Sequence, residues 1–167
     1  MPVLQESPEK CLTIFLDIDG VLHTDPQPAS DLKLFEKLPL LVDVLTQYEA
    51  SLEVVISSSW RDKYTYAQIS DRFMPELAHL VAGATPQLKL KAQSKTDWMP
   101  PISNYERQNE CERWLKDNRQ WGQAWIAIDD RASWFEPGCR NLLVTDPRKA
   151  FTADDAKALH SMIRDFL

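Results

Sequence analysis

Short apolar runs alternate with amphipathic segments along the chain, and these runs are its clearest structural signal. They consist mostly of Val, Ile, Leu and Phe, which favour strands, and each is bounded by polar or turn-forming residues. Apolar runs without polar alternation indicate strands that are covered on both faces, as in a parallel sheet. The pattern predicts five strands, at residues 11–18, 52–56, 79–83, 124–128 and 141–145.

The segments between the strands have the three- and four-residue apolar spacing of amphipathic helices. Pro39 is expected to break or restart the first of them, because proline lacks the backbone donor that a helix interior needs. Ser103 and Thr152 are the expected N-caps of the last two, and Asp155 follows Thr152 by three residues, close to a capping box. The predicted helical segments are 30–50, 62–74, 103–121 and 152–167.

Strands that alternate with helices predict an α/β fold, a three-layer sandwich with a mostly parallel, Rossmann-like sheet and right-handed crossovers. At 167 residues the chain is expected to form a single domain over 1–167. The segment 84–103 is polar and contains three prolines, so we expect a loop or a small lid there.

Composition and charge narrow the classes of function. The chain is 44% hydrophobic and 26% charged, and its net charge of −6 argues against non-specific binding to nucleic acid. Its three cysteines lack metal-type spacing, and neither a GxxxxGKS/T nor a GxGxxG pattern occurs. We find no signal peptide, and no apolar run near the length of about 20 residues that spans a bilayer. We therefore expect a soluble, cytoplasmic protein without a membrane partner.

Polar clusters follow three of the predicted strands. They are Asp-Ile-Asp-Gly at 17–20, Ser-Ser-Ser-Trp-Arg at 57–61 and Asp-Asp-Arg at 129–131. Each alone is weak evidence, since aspartate and serine are common in turns and helix caps. Because the carboxyl ends of parallel strands share one edge of a sheet, the clusters are expected to converge there, where open α/β folds bind ligands.

The convergence of four carboxylates predicts a bound cation. Asp17, Asp19, Asp129 and Asp130 would repel one another strongly unless a positive ion lay between them. Oxygen ligands favour Mg²⁺ over zinc, and the three scattered histidines form no competing His/Cys cluster.

Three motifs at the predicted strand ends resemble those of a known family. FLDIDGVLH, VVISSSWR and IAIDD resemble, in order and at strand ends, the motifs of haloacid-dehalogenase-like (HAD) phosphohydrolases. Within that superfamily the chain is similar to the HAD domain of Swiss-army-knife RNA repair proteins, whose last motif follows an Arg-x-x-Glu helix that ends in Trp-Leu. Here Arg107, Glu110, Trp114 and Leu115 match that helix, and the NLLVTDPRKAFT segment is similar too.

The resemblance implies a role for each aspartate. Asp17 is the implied nucleophile, which attacks phosphorus and becomes an aspartyl phosphate. Asp19 is the implied general acid for the leaving oxygen and then the base that activates water, since residues i and i+2 of a strand point to the same side. Mg²⁺ would be held by the Asp17 carboxylate, the Asp19 backbone carbonyl and Asp129, with Asp130 in support.

The resemblance also implies a hydroxyl and a cation on the phosphate. Counting from the apolar run favours Ser57, whereas aligning on the Trp-Arg pair favours Ser58, and both stay open. Arg107 is the first choice for the cation, because arginine suits bidentate contact with phosphate, and Lys95 is the second. Arg61 either reaches substrate or forms a surface salt bridge.

Phosphate-monoester hydrolysis is the implied reaction, since family members that cleave other bonds usually lack the second aspartate. The interval 20–57 is too short for a large cap, so we expect an open site, as in members that act on nucleic-acid ends or phosphoproteins. The expected partner is a phosphorylated substrate, with a nucleotide or an RNA or DNA end as a leading class. Trp60 and Trp98 are candidates for base stacking there, whereas Trp114 and Trp125 are expected in the core.

Two other classes of function are alternatives. A non-catalytic HAD-like binding or regulatory module would keep the fold and bind Mg²⁺ without turnover. A phosphorylation-sensing receiver domain also gathers carboxylates at strand ends. Its middle strand ends in the aspartate that accepts phosphate, whereas the corresponding strand here ends in serines.

Overall fold

The computed structural model describes residues 9–88, 105–119 and 122–167. Five strands form one sheet, and each pair of neighbours is parallel. The strands are β1 (Leu12–Leu16), β2 (Leu52–Ile56), β3 (Val81–Ala84), β4 (Ala124–Asp129) and β5 (Leu142–Val144). Their spatial order is β3-β2-β1-β4-β5, with β1 at the centre, and the predicted α/β class with a Rossmann-like parallel sheet is confirmed.

Helices cover both faces of this sheet. The described residues form α1 (Leu38–Leu45), α2 (Tyr66–Phe73), α3 (Glu106–Asn118) and α4 (Ala153–Phe166). Buried residues of α1, α2 and α4 share one apolar cluster with the sheet, and those of α3 share a second cluster with it. The fold is therefore the three-layer sandwich that the sequence predicts.

The helix predicted over 30–50 is shorter than expected. Residues 31–33 are irregular and 34–37 form a turn, in which Phe35 has a φ of 59°, a left-handed conformation that is incompatible with a continuing helix. α1 begins only at Leu38, with Pro39 in its first turn. The backbone donor that proline lacks would have no partner in a first turn, so Pro39 starts this helix rather than interrupting it.

The caps of the other helices follow local sequence chemistry. α2 is shorter than the predicted 62–74 because Thr65 caps it: the Thr65 hydroxyl accepts the Gln68 backbone N–H at 3.1 Å, and the Gln68 side chain accepts the Thr65 N–H at 2.9 Å. The capping box predicted for Thr152 and Asp155 is confirmed, with Thr152 N–H donating to Asp155 Oδ2 at 2.8 Å.

Two predictions concern the middle of the chain. α3 begins at Glu106 with Tyr105 in the N-cap position, whereas the predicted cap Ser103 lies outside the described residues. The third strand lies at Val81–Ala84 rather than at the predicted 79–83. After it, the structure describes residues 85–88 before the next gap. The loop or lid predicted over 84–103 lies almost wholly outside the described ranges.

Strand side chains alternate between the two apolar clusters. Ile14 and Leu16 of β1 face α1, α2 and α4, whereas Phe15 between them faces α3. The Phe15 ring lies 6.0 Å from the rings of both Trp114 and Trp125, in edge-to-face arrangements. Both tryptophans therefore pack in the core, as expected.

The register of the central strands aligns their carboxyl ends at one edge of the sheet, which we call the functional edge. Leu16, the last residue of β1, is paired with Ile56 of β2 and with Ile128 of β4. Asp17 N–H donates to the Ile128 carbonyl at 3.0 Å, and Ser57 N–H donates to the Leu16 carbonyl at 2.8 Å. The residues that follow the three strands therefore emerge side by side.

The described connection between β1 and β2 contains turns, α1 and one short 3-10 turn, so no large cap lies in this part of the chain. None of the helices in the described ranges has the length and apolar character needed to cross a membrane.

A partly buried ion pair joins the sheet to the end of α3, away from the functional edge: Glu53 is buried, whereas the Arg119 side chain is 37% exposed. Glu53 of β2 is 3% exposed, and its carboxylate accepts from the Thr13 hydroxyl at 3.1 Å and from Arg119 Nε at 2.9 Å. Arg119 Nη2 donates to the second carboxylate oxygen, so the contact is bidentate. This partner allows a charged residue to occupy a central, otherwise apolar strand.

We expect Arg119→Ala to lower the free energy of unfolding by about 1–3 kcal/mol, because the buried Glu53 carboxylate loses its charged hydrogen-bond donors. Arg113→Ala is the matched control, since its ion pair with Asp117 is exposed at 54% and 49%. That control should change the free energy of unfolding by less than about 0.5 kcal/mol. Urea unfolding of both variants measures the difference, and equal effects would contradict a stabilising role for the Glu53–Arg119 pair.

Candidate active site

The carboxyl edge of the sheet brings three carboxylates together. Side-chain oxygens of Asp17, Asp129 and Asp130 all lie within 4.8 Å of one another. Asp17 and Asp129 are buried, at 6% and 1% exposure, and Asp130 is half-buried. Asp17 Oδ1 accepts the Ile18 backbone N–H at 2.8 Å, and Asp129 Oδ1 accepts that of Arg131 at 2.8 Å. We call these three residues the acidic cluster.

Burial makes the acidic cluster electrostatically costly. It raises the pKa of Asp17 well above its usual range, with the Asp129 carboxylate adding to the effect. It also raises the pKa of Asp129 to about 7. A divalent cation among the carboxylates would offset this cost, and a donor set made of carboxylate oxygens fits Mg²⁺. The residues present therefore fit the ion that the sequence predicts.

The Asp19 side chain is not part of this cluster. Its carboxylate is 41% exposed and accepts from His23 Nε2 at 2.7 Å and from the Trp60 indole N–H at 3.1 Å. These bonds lower the pKa of Asp19, with the His23 hydrogen bond as the larger cause. Asp19 is thus an oriented, partly exposed carboxylate beside the buried cluster.

His23 has only one tautomer that satisfies its neighbours. The ring is 2% exposed, and its Nδ1 accepts the Phe35 backbone N–H at 3.2 Å. Because Nδ1 is an acceptor, the proton of the neutral ring lies on Nε2, which donates to Asp19. The left-handed conformation of Phe35 thus supports the geometry of a residue next to the cluster.

The two candidate serines differ in how they are used. Both are buried, and Ser58 Oγ accepts the Trp60 backbone N–H at 3.3 Å, which makes Ser58 the cap of the 3-10 turn Ser59–Asp62. The Ser57 hydroxyl has only a long contact of 4.0 Å, to Cys111 Sγ, among the described residues. Ser57 therefore keeps its hydroxyl free for a ligand.

Two arginines with little solvent exposure, Arg61 and Arg107, both lie against Glu110. Arg61 Nη2 donates to the two oxygens of Glu110 at 2.8 and 3.0 Å, and Arg61 Nη1 donates to Thr85 Oγ1 at 2.7 Å. The Arg61 side chain is only 10% exposed, so the prediction of a surface salt bridge is wrong: the ion pair is internal.

Arg107 extends from the first turn of α3. Its side chain is 8% exposed, its Nη1 lies 3.7 Å from Glu110, and its guanidinium lies 5.1 Å from the centre of the Trp134 ring. Arg107 Nη1 has no hydrogen-bond partner among the described residues, although it is buried. The alternative cation, Lys95, lies outside the described ranges.

One comparison with known proteins identifies the family. The family model for the HAD domain in Swiss Army Knife RNA repair proteins matches residues 13–156. The chain belongs to this family. Its members are HAD-type domains, which indicates a HAD-type hydrolase. Searches of curated proteins and of solved structures found no match.

In this HAD domain, Gly20 has two functions at the functional edge. Its φ of +79° is a conformation that side chains rarely adopt. A Cβ on Gly20 would also lie 2.4 Å from Asp130 Oδ2, so the missing side chain makes room for that carboxylate. The sequence suggests the sharp turn, but the close approach of Asp130 emerges only from the fold.

Sequence reasoning missed the partners of Asp19. His23 counted as one of three scattered histidines, and Trp60 only as a candidate for stacking. The available signal for His23 was its position four residues after Asp19, across the turn at Gly20. Trp60 follows β2, the strand next to β1, and its indole N–H reaches back to Asp19.

The metal-free HAD domain should lose stability as pH rises. The folded state binds the Asp129 proton more tightly than the unfolded chain, in which aspartates titrate near pH 4. The free energy of unfolding contributed by this group is therefore present below about pH 4 and falls as pH rises to about 7, the folded pKa. The expected decrease in the free energy of unfolding is on the order of 3 kcal/mol. Asp129→Asn keeps an oxygen for the Arg131 N–H but does not ionise, so the variant should not show this decrease.

Urea unfolding at pH 5 and pH 8 in the presence of a chelator measures the effect. At pH 8 the variant should be more stable than the unchanged protein, and added Mg²⁺ should stabilise the unchanged protein more. An identical pH dependence in both proteins would show that Asp129 carries no such penalty.

Proposed function

We propose that this HAD domain is a Mg²⁺-dependent phosphatase that cleaves a phosphate monoester through an aspartyl-phosphate intermediate, at a nucleic-acid end or a nucleotide. The observation that carries the proposal is the acidic cluster itself. A buried Asp17 lies within 4.8 Å of Asp129 and Asp130, at the edge where the family motifs converge.

Asp17, Asp129 and Asp130 would hold the ion through their carboxylates, and Asp19 would contribute its backbone carbonyl. Bound Mg²⁺ supplies the positive charge that lets an anionic phosphate approach an anionic carboxylate. The raised pKa values of Asp17 and Asp129 support this assignment, because they measure the repulsion and burial that a cation would offset.

In the first step, an Asp17 oxygen attacks phosphorus and forms the aspartyl phosphate, while the bond from phosphorus to the leaving oxygen breaks. The lowered pKa of Asp19 leaves its carboxylate ionised at rest, so Asp19 would first take up a proton from solvent on its exposed side and then give that proton to the leaving oxygen. In the second step, Asp19 takes a proton from water as the water oxygen attacks phosphorus, which releases phosphate and regenerates Asp17. His23 and Trp60 orient the Asp19 carboxylate for both transfers.

Two side chains are suited to the phosphoryl oxygens. Arg107 Nη1 is buried without a hydrogen-bond partner among the described residues, which leaves a donor for an anion. Of the two serines, we assign this contact to Ser57, because Ser58 already caps the 3-10 turn Ser59–Asp62. Both groups would bind the phosphate where its charge is transferred.

Two observations support the substrate class. No large cap lies in the described connection between β1 and β2, which favours access of a macromolecular end from that side of the site. The matched family is that of HAD domains in RNA repair proteins, which supports an RNA end rather than a small metabolite as the substrate. The protein's negative charge fits recognition of an end rather than of a long polyanionic surface.

Asp17→Asn should abolish phosphate release. We expect the rate to fall by at least about a thousandfold on p-nitrophenyl phosphate and on 5′- or 3′-phosphorylated oligonucleotides, because an amide cannot form the aspartyl phosphate. Asp31→Asn is the control, since Asp31 is exposed and outside the site. A chelator should also remove activity, and Mg²⁺ should restore it.

Activity that survives Asp17→Asn would exclude Asp17 as the nucleophile. Mg²⁺ binding by the unchanged protein without hydrolysis of any phosphate ester in a broad panel would instead favour the non-catalytic HAD-like module.

Arg107→Gln should lower kcat/KM about 100-fold, because it removes a buried donor to the transferring phosphoryl group. The change should spare the fold, since Glu110 keeps its bidentate contact with Arg61. Arg113→Gln, an exposed arginine of the same helix, is the matched control. Steady-state kinetics on p-nitrophenyl phosphate test this, and equal activity of the two variants would exclude Arg107 from phosphate binding.

A further inference from the structure

A cavity of about 260 Å³ opens beside Asp19. The described residues that line it are Asp19, Ser59, Trp60, Lys63 and Tyr64. The acidic cluster does not contribute to this lining, so the cavity adjoins the proposed acid without containing the proposed nucleophile. Four of its residues belong to the segment directly after Ser57 and Ser58.

The position of the cavity matches that of a leaving group. In the proposed reaction Asp19 protonates the leaving oxygen, so that oxygen must lie within hydrogen-bond distance of the Asp19 carboxylate. His23 and Trp60 hold this carboxylate in place, and 41% of the side chain stays exposed. The group bonded to the leaving oxygen must therefore occupy space on the exposed side of Asp19, and the cavity provides it.

The apolar wall of the cavity is rigid. Trp60 and Tyr64 are half-buried, with ring centres 6.0 Å apart. Trp60 packs edge-to-face on Phe35 at 5.3 Å and on Phe73 at 5.0 Å, and Tyr64 packs on Phe73 at 5.6 Å. Aromatic side chains that are already ordered bind a planar ring with little further loss of conformational entropy.

The polar rim of the cavity carries unused groups. Lys63, Ser59 and Tyr64 all line the cavity, and their side chains form no hydrogen bond or ion pair with any described residue. Lys63 is exposed at the rim, where a ligand with a negative charge would meet it. The wall and the rim together suit a leaving group that has a planar ring and a charge of its own.

We propose that Ser59, Trp60, Lys63 and Tyr64 form a leaving-group pocket for the terminal nucleotide of a polynucleotide, with its base against Tyr64 and Trp60 and its next phosphate at Lys63. This inference rests on the proposed phosphatase function. A mononucleotide gives its only phosphate to Asp17 and has no second charge for Lys63. The terminal nucleotide of a longer chain keeps a phosphodiester, so the pocket favours polynucleotide ends over mononucleotides.

The test compares substrates that differ only in the leaving group. The full chain with Mg²⁺ is assayed on p-nitrophenyl phosphate, on a nucleoside monophosphate, and on a trinucleotide that carries its terminal phosphate at the same position. A phosphotyrosine peptide is the fourth substrate. The variants are Lys63→Ala, Tyr64→Ala and Tyr64→Phe, and Lys116→Ala is the control, because Lys116 is exposed near the end of α3 and does not line the pocket.

For the unchanged protein, kcat/KM should be highest on the trinucleotide. Lys63→Ala should raise KM for the trinucleotide about five- to tenfold, with a loss at least about threefold smaller on the nucleoside monophosphate. Tyr64→Ala should raise KM for both nucleotides about tenfold, and Tyr64→Phe should restore most of the loss because it keeps the ring. Lys116→Ala should leave all four substrates unaffected.

Three outcomes would overturn the pocket. The first is an equal effect of Lys63→Ala on all substrates, p-nitrophenyl phosphate included, because that substrate has no second phosphate for Lys63. The second is no effect of either Lys63→Ala or Tyr64→Ala on the trinucleotide. The third is a higher kcat/KM of the unchanged protein for the phosphopeptide, which would assign the site to proteins. In each case Asp17-dependent hydrolysis of p-nitrophenyl phosphate would still support the phosphatase, whereas its absence would reject the phosphatase and the pocket together.

Discussion

The in-register parallel pairing of β1 with β2 and β4 is the constraint on which the rest of the molecule depends. It brings Asp17, Ser57 and Asp129 to one level at the carboxyl edge of the sheet. The apolar clusters on both faces hold that register, because a slip of one residue would exchange the side chains that face the two clusters. The packing of the core and the geometry of the site are therefore one property of the same three strands.

The fold accepts a local electrostatic cost at this edge. The acidic cluster is buried and its carboxylates repel one another, yet only backbone N–H groups and Arg107 counter that charge among the described residues. The charges elsewhere in the interior are treated differently: Glu53 has Arg119, and Glu110 has Arg61. Each of these two glutamates has an arginine partner, whereas the acidic cluster forms no ion pair within 4 Å among the described residues. The attraction for a cation is therefore concentrated at the acidic cluster.

Much of the fold and part of the site could be predicted from sequence, and the difference has a physical cause. Strand positions followed from continuous apolar runs, and the acidic cluster followed from polar residues at strand ends, because parallel strands share an edge. The burial of Arg61 could not be predicted in this way, since its partner Glu110 is 49 residues away. Trp60 was missed for the same reason, since it lies 41 residues from Asp19 on a neighbouring strand end. His23 is only four residues from Asp19, but its contact depends on the turn at Gly20.

The position of Phe35 limits how far the length of the loop between β1 and α1 can change. Such surface connections ordinarily tolerate insertions and deletions. Here the Phe35 N–H fixes the proton of His23, and the Phe35 ring packs on Trp60, so both donors to Asp19 depend on one backbone position. A change in loop length that moves Phe35 would free the imidazole to exchange its tautomer. The length of this loop thus bears on the geometry of both donors to Asp19.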